Sequence, residues 1–249
     1  MLAAGMGPVD ARPRTYTIRS RNQANDNSLR VLRPSKAARR VLYVLPVNPG
    51  VSYQWGDGFE TAARLGLHER HGMALVGPSF SAWPWYADHP ENPKIRQESY
   101  FLGDVVPFVD GLFPGCKRLL VGFSKSGNGA MQLLLRRPEL FAAAAVWDAP
   151  LMKEAPDQFG MAEIFGTAKN FAGYCVPRLL ERRAGEWAGK RARVALLGYD
   201  AFREHMEKAH VLMERLGMAH RYENTVRRVH RWDSGWLEGA VGMLDELTG

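Results

Sequence analysis

The chain has 249 residues, of which 46% are hydrophobic and 24% charged, and a formal net charge of +7. That length suits one sizeable domain with a buried core, and the composition excludes a disordered or fibrous chain. No run approaches the roughly 18 consecutive apolar residues of a membrane-spanning helix, and two cysteines, Cys116 and Cys175, make no disulfide framework and read as free thiols.

Taken in chain order, Met1 to Pro8 lacks the basic region and apolar core of a secretory signal, so a cytoplasmic protein is expected. Residues 15–21 and 28–32 read as two short strands around a turn rich in Asn and Asp. Residues 40–45 form a continuous apolar run suited to a strand buried on both faces. Pro46-Val47-Asn48-Pro49-Gly50 then makes a loop, and a helix is expected over 57–69. A second buried strand covers 73–77. The long loop after it, 80–93, carries Trp83, Trp85 and Tyr86 among several prolines. Loops of that length are often functional. Residues 98–113 fit an amphipathic helix.

Residues 117–123 read as a strand that ends in Gly122-Phe123-Ser124-Lys125-Ser126-Gly127, and residues 128–137 read as a helix. Strand, glycine-rich turn with a central serine, and helix describe a nucleophile elbow, in which the tight turn pushes the serine out of the sheet. The helix N-terminus behind it supplies backbone N–H groups for an oxyanion. Ser124 is therefore the candidate nucleophile and the Lys125 N–H a candidate oxyanion donor. The second donor belongs on the loop after Leu45, where Pro46 and Pro49 have no N–H, leaving Val47 and Asn48, with Asn48 preferred.

Residues 142–146 form a further strand that ends at Trp147-Asp148. Residues 151–190 interrupt the alternation and read as a cap-like insertion over the site. A strand over 193–198, a helix over 201–217, a strand over 220–229 and a helix begun by Asp233 or Ser234 complete a single domain. Strands alternating with helices predict an α/β fold with a mostly parallel central sheet covered on both faces.

A serine hydroxyl needs a base, and the base needs an orienting carboxylate. His230 lies between the last strand and the final helix, where the base belongs. His220 begins the preceding strand, at the opposite edge. The acid is Asp200, after the strand at 193–198, or Asp148, after the strand before it; Asp200 is slightly favoured by position, although it also suits a helix cap. Trp83, Trp85 and Tyr86 line a substrate pocket or anchor the loop that carries them. The basic clusters, such as Arg227/Arg228/Arg231, read as solvated surface, and no motif supports nucleic-acid binding.

From residue 40 to residue 247 the chain resembles the α/β-hydrolase superfamily, in particular the esterase group that includes esterase D and the mycolyltransferases. The resemblance rests on Gly122-Phe123-Ser124-Lys125-Ser126-Gly127, on His230-Arg231-Trp232-Asp233-Ser234-Gly235-Trp236, and on the strand order between them. It implies an α/β-hydrolase fold and a serine esterase that uses Ser124 and His230 without a cofactor or metal. The chain departs from the usual pattern at Ser126, where glycine is common, and at Pro46-Val47, where His-Gly is common. The expected activity is hydrolysis of a small-molecule or polymeric carboxylic ester. Acyl transfer to an alcohol is a second expectation, and a non-catalytic binding protein a third.

Overall fold

The computed structural model describes residues 12–50 and 54–249. The reading of Met1 to Pro8 lies outside them. The strands are β1 (Arg14–Ile18), β2 (Asn27–Leu32), β3 (Arg40–Val44), β4 (Met73–Pro78), β5 (Lys117–Phe123), β6 (Ala143–Trp147), β7 (Val194–Tyr199) and β8 (Arg221–Arg227). They form one sheet in the order β1-β2-β4-β3-β5-β6-β7-β8. β1 and β2 are an antiparallel hairpin joined to β4, and β3 to β8 run parallel.

The helices are α1 (Gly58–Arg64), α2 (Leu67–His71), α3 (Gln97–Tyr100), α4 (Val106–Leu112), α5 (Ser124–Arg136), α6 (Met161–Phe165), α7 (Ala168–Ala172), α8 (Val176–Trp187), α9 (Arg203–Arg215) and α10 (Leu237–Thr248). Alternation along each central strand feeds two cores. Val41 and Tyr43 of β3 face a core shared with α4, α5, α8 and α9, whereas Leu42 and Val44 face one shared with α1, α2 and α10. None of the described helices is long and apolar enough to cross a membrane.

Three expected elements differ. The helix over 57–69 is broken into α1 and α2 at Gly66, whose φ of 66° is left-handed. The helix over 98–113 contains a π-helical turn, Phe101–Val105, between α3 and α4. The last helix starts at Leu237, not at Asp233 or Ser234. Arg231 holds the Asp233 carboxylate, and the Ser234 hydroxyl donates to the Arg231 carbonyl, so neither side chain caps the helix.

The segment 151–190 divides in two. Its α8 packs against α5 and α9 and belongs to the main core through Val176, Leu179 and Leu180. Its first part makes a separate small cluster, in which Met161, Ile164, Phe165, Phe171 and Tyr174 close over Trp85 and Ala87. That cluster packs the long loop 80–93 onto the C-terminal side of the sheet.

Candidate active site

The register of the sheet assembles the site. β5 and β6 pair Phe123 with Trp147, so Ser124 and Asp148 leave neighbouring strands side by side. The Ser124 N–H donates to the Asp148 carbonyl at 3.2 Å. Ser124 has a φ of 52°, in the left-handed region that a branched or bulky side chain seldom enters. The turn is this tight because the chain must reverse from an extended Phe123 into α5 within one residue. Gly122 is required by contact: a Cβ there would sit 2.3 Å from the Ser126 carbonyl oxygen. At Gly127 it would sit 2.7 Å from Ala149.

Ser126 has its own role in the elbow. Its buried hydroxyl accepts from the Phe123 N–H at 3.1 Å and donates to the Phe123 carbonyl at 2.9 Å. Both main-chain groups of the residue before Ser124 are thereby bridged. A glycine at 126 makes no such bridge, which gives a physical reason for the departure from the commoner motif.

His230 follows β8. Its Nδ1 lies 2.6 Å from Asp148 Oδ2. The Asp148 carboxylate, with no exposed surface, also accepts from the Ala201 N–H at 2.9 Å and the Phe202 N–H at 2.7 Å. Burial pushes the Asp148 pKa up, but the bonds from His230 and from the backbone around 200–202 outweigh it, and the net direction is down. Asp148 is thus an anion held against the imidazole. The acid that sequence position slightly favoured, Asp200, stands elsewhere. Its carboxylate accepts from the His230 backbone N–H at 3.1 Å and pairs with Arg227 at 2.9 Å. It touches the backbone of His230, not the ring. The β7–β8 register is irregular between Leu197 and Tyr199, just before Asp200.

Aromatic rings enclose the imidazole. Phe123 lies 4.8 Å away between centroids, Trp55 5.5 Å, Phe202 5.7 Å and Trp147 6.0 Å. Phe123 precedes Ser124 in the chain, so the residue beside Ser124 packs directly on the imidazole. No hydrogen bond joins the Ser124 hydroxyl to His230 among the described residues, and contacts of this kind commonly tighten only with substrate in place. His220, at the start of β8, instead bonds His210 on α9 at 2.8 Å.

The Lys125 backbone lies in the first turn of α5, where N–H groups lack helical partners. Asn48 sits, buried, on the loop after β3. That loop is held by Tyr86, whose hydroxyl donates to the Pro46 carbonyl at 2.7 Å. Burial pushes the Tyr86 pKa far up, so the phenol remains a donor. Its ring also packs on α5, where a Cβ at Gly129 would sit 2.0 Å from it.

Trp85 and Tyr86 therefore do not line an open pocket; both are wholly buried. Trp85 donates from Nε1 to the Phe159 carbonyl at 3.1 Å and packs on Phe165. Trp83 differs: it is 37% exposed and lies under the Lys125 ammonium, 4.4 Å from ring centroid to Nζ. Three aromatics missed from the sequence also border the site. Phe159 is 49% exposed and meets Phe202 edge-on at 5.8 Å, and Trp55 stands edge-on to His230. None has a local signal, because each comes from a loop distant in sequence. The four described non-glycine residues with positive φ, Tyr86, Ser124, Asp148 and Phe159, all belong to this region. Backbone strain of this kind concentrates at functional sites.

No family model and no curated protein matches the sequence. Solved structures do resemble it. A ferulic acid esterase superposes with a TM-score of 0.73 at 17% identity, covering 95% of this chain and 97% of its own. MPT51 of Mycobacterium tuberculosis gives 0.76 at 13% identity, covering 96% and 98%. An S-formylglutathione hydrolase from Agrobacterium tumefaciens gives 0.67 at 18%, covering 94% and 95%. The likeness runs through nearly the whole of each chain. With the strand order above, it establishes the α/β-hydrolase fold.

Proposed function

We propose that the protein is a serine hydrolase of carboxylic esters. The observation that carries this reading is a strained Ser124, at the N-terminus of α5, whose N–H bonds the Asp148 carbonyl while the Asp148 carboxylate bonds His230 from the loop after β8. The esterases and hydrolases among the similar structures support the same reading at the level of fold.

In this reading His230 Nε2 takes the Ser124 proton as Oγ attacks the ester carbonyl. Asp148 holds the imidazole as its Nδ1–H tautomer and stabilises the imidazolium that forms. Backbone N–H groups at Lys125 and Asn48 receive the oxyanion, aided by the positive end of the α5 dipole. His230 then returns the proton to the departing alcohol. Water attacks the acyl-enzyme with His230 again as base, releasing acid and restoring Ser124. The exposed rings of Trp83 and Phe159 flank the substrate, while Trp85 and Tyr86 support the loops from beneath.

Hydrolysis of short- and medium-chain p-nitrophenyl esters, with product analysis in the presence of an added alcohol, tests the reading. Release of free acid supports it. Acyl transfer to the alcohol in place of acid would replace it with acyltransfer.

A further inference from the structure

The residue after the nucleophile has a side chain that the mechanism above does not use. The Lys125 stem is half-buried, and burial pushes the ammonium pKa down. Its neighbour is the Trp83 indole, and among the described residues no carboxylate lies within ion-pair distance of Nζ. Three other cations around the site have carboxylate partners. Lys153 pairs with Asp157 at 2.6 Å, Arg227 with Asp200 at 2.9 Å and Arg231 with Asp233 at 2.8 Å. A partly desolvated cation with only an aromatic partner is unfavourable, and an anion beside it relieves the penalty.

The place of this cation is specific. Its backbone follows Ser124 directly, and Trp83 beneath it borders Gly160, where a Cβ would lie 3.6 Å from the indole. Gly160 adjoins the exposed Phe159. The ammonium on the residue next to Ser124 thus packs on one exposed aromatic ring, with a second, Phe159, beside the glycine that this ring borders.

Resting on the esterase reading, we propose that Lys125 is a specificity residue whose ammonium receives an anionic substituent of the ester, carried close to the scissile carbonyl. The substrate class is an ester with a carboxylate or comparable anion on its acyl or its alcohol portion, and with apolar or aromatic surface for Trp83 and Phe159.

The test is a ratio of kcat/KM values. For the acyl side, an aryl hemiglutarate is compared with the uncharged aryl pentanoate. For the alcohol side, the acetate of 4-hydroxybenzoate is compared with that of 4-hydroxybenzamide. The native protein is expected to prefer the anionic member of at least one pair by roughly tenfold. Lys125→Met keeps the backbone N–H and the length of the stem and should abolish that preference, chiefly through KM for the anionic ester. Lys125→Arg should retain part of it.

The pair that shows the effect identifies the charged portion. Equal ratios in the native protein and Lys125→Met, or a native preference for the neutral esters, would overturn the proposal while leaving the esterase reading intact. Absence of turnover of all four esters together with no labelling of Ser124 by a fluorophosphonate would remove the esterase reading, and this proposal with it.

Discussion

Replacing Asp148 by asparagine separates the two carboxylates near His230. The change removes the charge behind a 2.6 Å bond to Nδ1 while nearly preserving shape. An amide oxygen can still accept on one side, but the NH₂ on the other must then face a donor, because His230 Nδ1 and the Ala201 N–H point at one oxygen of this carboxylate and the Phe202 N–H at the other. The imidazole loses its orienting anion and its preferred tautomer. A loss of about 10³ to 10⁴ in kcat/KM is expected, equivalent to about 4 to 5.5 kcal/mol in the barrier. The donor left facing NH₂ costs about 1 to 3 kcal/mol of stability, which for a chain of this size lowers Tm by roughly 2 to 12 °C.

Asp148 also sets a pH dependence. Its pKa is depressed in the fold, so its stabilisation is present above the unfolded value of about 3.9 and is lost as pH falls through the folded value. Below about pH 4 the native protein should therefore lose stability more steeply than Asp148→Asn, as followed by thermal unfolding across pH. Asp200→Asn is the control for rate. It disturbs a bond to the His230 backbone and an exposed ion pair with Arg227, and should lower kcat/KM less than about tenfold. A variant ranking with Asp200→Asn dead and Asp148→Asn near native would refute the assignment.

Two further substitutions probe the supports of the site. Gly122→Ala places a Cβ 2.3 Å from the backbone oxygen of Ser126, where neither side can yield without opening the elbow; it should cost about 3 kcal/mol or more in denaturant unfolding, and an unchanged midpoint would contradict the packing argument. Tyr86→Phe removes the bond to the Pro46 carbonyl and should cost about 1 kcal/mol, with kcat lowered a few-fold and KM little changed, because the loop it holds bears Asn48. A rise in KM alone would instead put Tyr86 against the substrate.

The main architecture was legible because its signals are local. Apolar runs at β3 and β4 marked buried strands, and Gly122-Phe123-Ser124 after the apolar run of β5 marked a turn between a strand and a helix. The choice of acid was not local. Asp148 and Asp200 both follow strands, and only the folded chain shows that Asp148 meets the imidazole while Asp200 meets the His230 backbone and Arg227. Composition likewise could not separate Trp83, Trp85 and Tyr86 of the long loop. Trp85 is buried by Phe165 and its neighbours, some 80 positions later, whereas Trp83 two residues before it remains partly exposed. The start of the last helix failed for a related reason. Asp233 is an ordinary capping residue until Arg231 claims its carboxylate.

The central claim is that Ser124 is the nucleophile of an ester hydrolase. The most direct measurement is p-nitrophenyl ester hydrolysis by the native protein and by Ser124→Ala, with mass-spectrometric mapping of the native protein after reaction with a fluorophosphonate. Turnover is expected to disappear in Ser124→Ala, and the native protein to carry a single phosphonylated residue, Ser124. Turnover that survives in Ser124→Ala, or a label on another residue, would contradict it.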